Sequence, residues 1–182
     1  MNSADLRWLG APADEVAPRL LGMMLTTHVD GSVTSIEIDE TEAYLPDDPA
    51  SHTFRGPTPR NAPMFGACGG VYVYRSYGIH WCVNIVTGLD GSGEAVLIRG
   101  GAPIEGRATM TERRGRADHL TDGPGKLCQA LGIDGSFDGT RIGDLLELSG
   151  SPGTRTWVAT PRVGVSVAVD HPLRFVAAQG AG

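Results

Sequence analysis

The chain has 182 residues, enough for one domain with a sizeable core, and its 41% apolar content is ordinary for a globular protein. No apolar run approaches the length needed to span a bilayer, and MNSADLRWLG has no basic stretch followed by an apolar one, so neither a membrane helix nor a secretory leader is predicted. Cys68, Cys82 and Cys128 show no C-x-x-C spacing, which speaks against a disulfide framework and a zinc site and suits a reducing cytoplasm.

Taken in chain order, PADEVAPRLLGMML reads as a helix opened by Pro12, with Asp14 and Glu15 in its first turn. LTTHVDGSVTSIEI places Asp30-Gly31 between β-favouring runs, a two-residue hairpin signal. Its second strand runs on into ETEAY, so Glu40, Glu42 and Tyr44 share one face. A loop rich in Pro, Asp, Gly and Arg follows from Leu45 to Gly70. VYVYRSYGIHWCVNIVT reads as two strands bent near Gly78, and EAVLIRG as a buried strand. PIEGRATMTERRG is predicted as a helix opening at Pro103, and DGPGKLCQALGI as a glycine turn feeding another. TRTWVAT, RVGVSVAV and HPLRFV read as strand-like segments, and residues 176–182 as a fraying tail. The order is mixed rather than repeating β-α-β. It predicts one α+β domain over residues 1–182: a curved antiparallel or mixed sheet, a protruding hairpin and short helices around it.

Net charge is −6, unfavourable at first sight for a nucleic-acid partner. The distribution alters that reading. Pro49 to Lys126 holds nine basic against six acidic residues, and Pro49 to Leu89 holds three arginines and no acid. A basic centre of this kind is compatible with phosphate contacts.

A lone strand glutamate is ordinarily a surface residue. Glu42 has unusual company: Tyr44, His52, Tyr72, Tyr74, Tyr77 and Asn84 lie in segments able to converge on it. Tyr72 reads as a core residue, whereas aromatic faces beside arginines suit stacking on a base. The five histidines have no metal-ligand spacing, and neither metal nor cofactor is implied.

EIDETEAY, ASHTFRGPTPRNAPMFG, VYVYRSYGIHWCVNIV, AVLIRGGAPIEG, DGPGKLCQALGI and PRVGVSVAVDHPLRF resemble, in that order, the motifs of the alkyladenine (3-methyladenine) DNA glycosylase family. The resemblance covers about Arg19 to Phe175. It implies an enzyme that flips an alkylated purine out of duplex DNA and hydrolyses its N-glycosidic bond. By this similarity Glu42 is the general base that activates water, with Arg99 and the backbone carbonyl of Val163 holding the same water. Arg99 would also favour the ionised carboxylate. Tyr44 and Tyr74 match walls that sandwich the base, with His52 closing the pocket, the Ala50 N–H reading the base edge and Asn84 beside the purine 2-position. Tyr77 matches the wedge that fills the gap in the stack, with Ile79, His80, Thr58 and Arg60 as DNA contacts.

Lys126 is the only lysine, and its GPGKL turn suits a phosphate or structural role better than a Schiff base, so a monofunctional enzyme is implied. The expected partner is double-stranded DNA bearing alkylated purines. The expected state is a cytoplasmic monomer, on the nucleoid in a bacterium. Two other readings compete: a lesion-binding protein without catalysis, and a hydrolase of nucleosides or other small glycosides. Glu42 with Arg99 argues against the first; Tyr77 and the acid-free stretch argue against the second.

Overall fold

The computed structural model describes residues 6–178. After a 3-10 turn (Leu6–Gly10), helix α1 covers Ala13–Arg19. Strands β1 (Met24–Val29) and β2 (Ser32–Tyr44) form a hairpin across Asp30-Gly31, both at positive φ as a type I′ turn requires. β3 (Val71–Ser76), β4 (His80–Thr87) and β5 (Glu94–Glu105) follow, then α2 (Arg107–Arg114) and α3 (Pro124–Leu131). β6 (Leu146–Ser149), β7 (Trp157–Thr160) and β8 (Arg174–Ala177) complete the elements.

The strands form one curled antiparallel sheet ordered β3-β4-β5-β2-β1-β6, with β8 joining β2 and carrying β7. The class is α+β, and every pair of these strands is antiparallel, so the mixed alternative falls away. One face carries the main core, including Val16, Leu20, Ile36, Ile38, Val83, Ile85, Val96, Ile98 and Leu127. Burying each such side chain is worth roughly 1.5–3 kcal/mol. The opposite face carries a smaller cluster of Met64, Tyr72, Val86 and Ala95, with Tyr74 against it.

β2 moves a carboxylate between these faces. Ile36 and Ile38 are core residues, so strict alternation would send Glu40 and Glu42 into the core as well. The β2–β5 register shifts on both sides of Glu40. A shift of one residue exchanges the faces of a strand. Beyond it Thr41 and Ala43 are fully buried, Ala43 in the core and Thr41 donating to the Ala17 carbonyl, while Glu40, Glu42 and Tyr44 share the other face. β1 pairs with β2 as far as Glu37, and β8 takes over at Glu40.

Several elements differ from the sequence reading. α1 ends at Arg19, not in GMML: Pro18 lacks an N–H, Gly22 has φ +87°, and Met24 begins β1. Pro103–Glu105 extends β5 against β2, and the next helix starts only at Arg107, after Gly106 at φ +74°. RVGVSVAV forms no strand; Gly164 and Ala168 both take positive φ and break any extended run. The 45–70 loop contains a 3-10 turn at Ala62–Phe65. β6 has no counterpart in the reading. Of the supposed tail, Val176 and Ala177 belong to β8, and 179–182 lie outside the described residues.

Candidate active site

Glu42 is fully buried on the smaller face of the sheet. Its Oε1 accepts from the Val163 N–H at 2.8 Å and lies 3.3 Å from Arg99 Nη1; its Oε2 accepts from the Tyr44 hydroxyl at 2.9 Å. These donors satisfy the group that burial would otherwise penalise. Arg99 is itself oriented by Glu40, whose Oε1 accepts from Arg99 Nε at 2.7 Å and from Arg174 Nε at 2.6 Å. Burial opposes ionisation of Glu40, but the bonds from Arg174 and Arg99 outweigh it and hold its pKa below the usual carboxylate value. Burial, then the charge of Glu42, pushes the Tyr44 phenol well above its usual pKa, so this hydroxyl remains a donor.

Beside this group opens a cavity of about 500 Å³. Tyr44, Ala50, His52, Tyr74 and Asn84 all line it, together with Arg60 and Tyr77. Tyr72 and Tyr74 stack at 5.6 Å between centroids, and His52 meets Tyr74 edge-on at 4.5 Å. His52 Nδ1 lies 3.0 Å from the Tyr72 hydroxyl, so the tyrosine read as core both packs inward and supports the pocket. Burial raises the Tyr72 hydroxyl to about 12. Asn84 donates to the Tyr72 carbonyl at 3.0 Å, which fixes its amide. The Ala50 N–H donates to Asp48 Oδ1 at 3.0 Å.

Glu42, Arg99 and Val163 do not line the cavity; they lie behind Tyr44 and the Gly164–Val167 segment, which do. The bond from Val163 to Glu42 comes from its N–H, whereas the sequence comparison drew attention to its carbonyl. At the mouth stand Arg55, Arg60 and Arg75. Arg60 lies 5.9 Å over the Tyr74 ring and donates to the Arg75 carbonyl. Thr58, outside the lining, is locked to Asn61 by hydrogen bonds in both directions. Tyr77 and Ile79 project from the β3–β4 turn, 89% and 69% exposed, with Tyr77 at φ +51° and Gly78 at +71°. His80 begins β4, and its side chain, Cβ first, would collide with any Cβ at Gly125, so the first turn of α3 packs against it. Lys126, exposed and paired with Asp122 at 3.0 Å, does not line the cavity.

Three residues escaped the sequence reading: Arg174, which with Arg99 holds Glu40, and the pair Arg162 and Asp48. Arg162 and Asp48 form a buried ion pair beneath Tyr44. Only the arginine in the PRVGV segment hinted at this, since a charge amid valines calls for a partner.

A family profile described as Methylpurine-DNA glycosylase (MPG) matches residues 7–181. Proteins named as candidate 3-methyladenine DNA glycosylases are similar over most of their length. One from Methanoculleus marisnigri is 48% identical over 88% of this chain and 87% of its own. One from Rhodopseudomonas palustris is 47% identical over 93% and 82%, and one from Rhizobium etli 51% identical over 88% and 78%. The family profile and the relatives define a DNA glycosylase, an enzyme of the base-repair class. The chain belongs to the methylpurine-DNA glycosylase family.

Proposed function

We propose that the protein flips alkylated purines of the 3-methyladenine type out of duplex DNA and hydrolyses their N-glycosidic bond with water activated by Glu42. The observation that carries this reading is the buried Glu42 carboxylate, held by Arg99, Tyr44 and the Val163 N–H directly behind an aromatic cavity. A water held between Glu42 and the Val163 carbonyl attacks C1′ as Glu42 takes its proton, while the carboxylate stabilises the oxocarbenium character of the sugar. A cationic N3- or N7-alkylpurine leaves as a neutral base and needs no general acid.

The base stacks between Tyr44 and Tyr74, worth roughly 1–3 kcal/mol by analogy with other aromatic platforms. His52 closes the slot, and Asn84 stands beside the purine edge to disfavour a 2-amino group. The Ala50 N–H reads the base by sharing its bond to Asp48. Tyr77 and Ile79 enter the vacated stack, and Arg60, Thr58 and His80 follow the backbone. Lys126 stands off the cavity, so water rather than an amine is the nucleophile and an abasic site is the product. The protein acts as a monomer in the cytoplasm.

The test is base release from a duplex carrying one 3-methyladenine-type lesion, with Glu42→Gln alongside wild type. Wild type should excise the base, and the variant should lose about 10²–10⁴-fold in single-turnover rate while still binding. Binding by both proteins without release by either would favour a lesion sensor. A borohydride-trapped adduct lost in Lys126→Ala would overturn the water mechanism.

A further inference from the structure

The side-chain contacts of the Arg162–Asp48 pair converge on the site. The two side chains are 0% and 2% exposed. Arg162 donates to Asp48 through Nη1 and, at 3.0 Å, through Nη2; Nη1 also donates to the Ala43 carbonyl at 3.1 Å, between Glu42 and Tyr44. The guanidinium carbon lies 4.8 Å from the Tyr44 ring centre. Tyr44 lines the cavity and Arg162 does not, so the cation lies behind the ring. Arg162 Nε is buried without a partner. A buried ion pair with an unpaired donor contributes little to stability compared with apolar residues of like volume, so its position calls for another account.

An arginine is always charged. Held against one face of an aromatic ring, it draws on the same π-density that a cation on the opposite face would use. We infer that the Arg162–Asp48 pair sets the preference of the base slot between cationic and neutral purines, Arg162 weakening the hold on a cationic base and Asp48 screening Arg162. Arg162 acts through Tyr44 and Asp48 through Arg162, and neither touches substrate, so they are specificity-determining positioning residues. Asp48 Oδ1 also accepts from the Ala50 N–H at 3.0 Å, a bond that the amide oxygen in Asp48→Asn can still accept. The inference rests on the reading that a flipped base stacks on Tyr44.

The experiment measures kcat/KM for base release from duplexes carrying 7-methylguanine, which is cationic, or 1,N6-ethenoadenine, which is neutral, with wild type, Arg162→Gln and Asp48→Asn. The ratio between two lesions within one preparation does not depend on the fraction of folded protein. Removing the cation should raise the cationic-to-neutral ratio, and unscreening it should lower the ratio, each by about 3- to 10-fold. Arg162→Lys, which retains a cation but not the planar stacking group, should shift the ratio in the direction of Arg162→Gln and by less. It supplies a second arm if one of the other variants fails to fold. Ratios that move together in Arg162→Gln and Asp48→Asn, or not at all, would reduce the pair to a loop clamp and overturn the inference. Release of neither base by wild type would instead overturn the reading of the site.

Discussion

The floor of the site and the tip of the β3–β4 hairpin serve one proposed reaction under opposite physical conditions. Glu42 is fully buried, and its neighbours on the floor tie five segments together: β2, β5, β8, the Asp48 loop and the Arg162–Val163 turn. Tyr77 is 89% exposed on a turn that holds it at φ +51°, a conformation non-glycine residues seldom adopt. Nothing in the free protein rewards that exposure. At the floor, function and stability draw on the same contacts. At the tip they are separate: Tyr77 and Ile79 stand exposed, and in the proposed reaction their packing comes from the DNA.

Substitutions on the two sides should expose this difference. Arg99 is 13% exposed and shared between Glu40 and Glu42. Arg99→Met leaves a buried carboxylate without its cation and should cost about 3–5 kcal/mol in urea unfolding, besides slowing base release. A smaller loss would mean that the Tyr44 and Val163 donors suffice. Tyr77→Ala should leave the unfolding free energy within about 0.5 kcal/mol of wild type, as surface changes usually do. It should nevertheless weaken binding to a lesion duplex by about tenfold, through loss of roughly 1–3 kcal/mol of stacking. A fluorescence titration checks this, and unchanged affinity would remove Tyr77 from the DNA interface.

Periodicity made much of this legible. Tyr72 and Tyr74 fell on one face because β3 alternates regularly, and Asp30-Gly31 announced its turn because that pair favours positive φ at both residues. The face of Glu42 was less secure: the sequence places Glu40, Glu42 and Tyr44 together but carries no mark of the register shift that separates them from Ile36 and Ile38. RVGVSVAV misled because alternating valines read as a strand, while Gly164 and Ala168 bend them into the cavity wall. The Arg162–Asp48 pair spans 114 positions, and such a contact leaves no local pattern.

The smallest expected effect concerns His52, at the boundary between floor and mouth. Partial burial against the rings of Tyr72 and Tyr74 lowers its pKa from 6.5, and the nearby charge of Arg60 acts in the same direction. The ring stays exposed on its other side, which keeps the effect small. Above the unfolded value the ring is neutral in both states and carries no penalty. As pH falls below about 6.5 the unfolded chain takes up a proton that the folded protein resists, so stability declines until the folded pKa is passed. The urea midpoint of wild type should therefore fall relative to that of His52→Gln between about pH 8 and pH 5.5. A gap constant across that range would mean that the ring titrates alike in both states. The same protonation places a positive charge beside a cationic purine, so kcat/KM for 7-methylguanine should decline on the acid side more steeply in wild type than in the variant. Arg60→Gln should move this acid limb to higher pH, because removing the neighbouring charge lets His52 keep its proton longer.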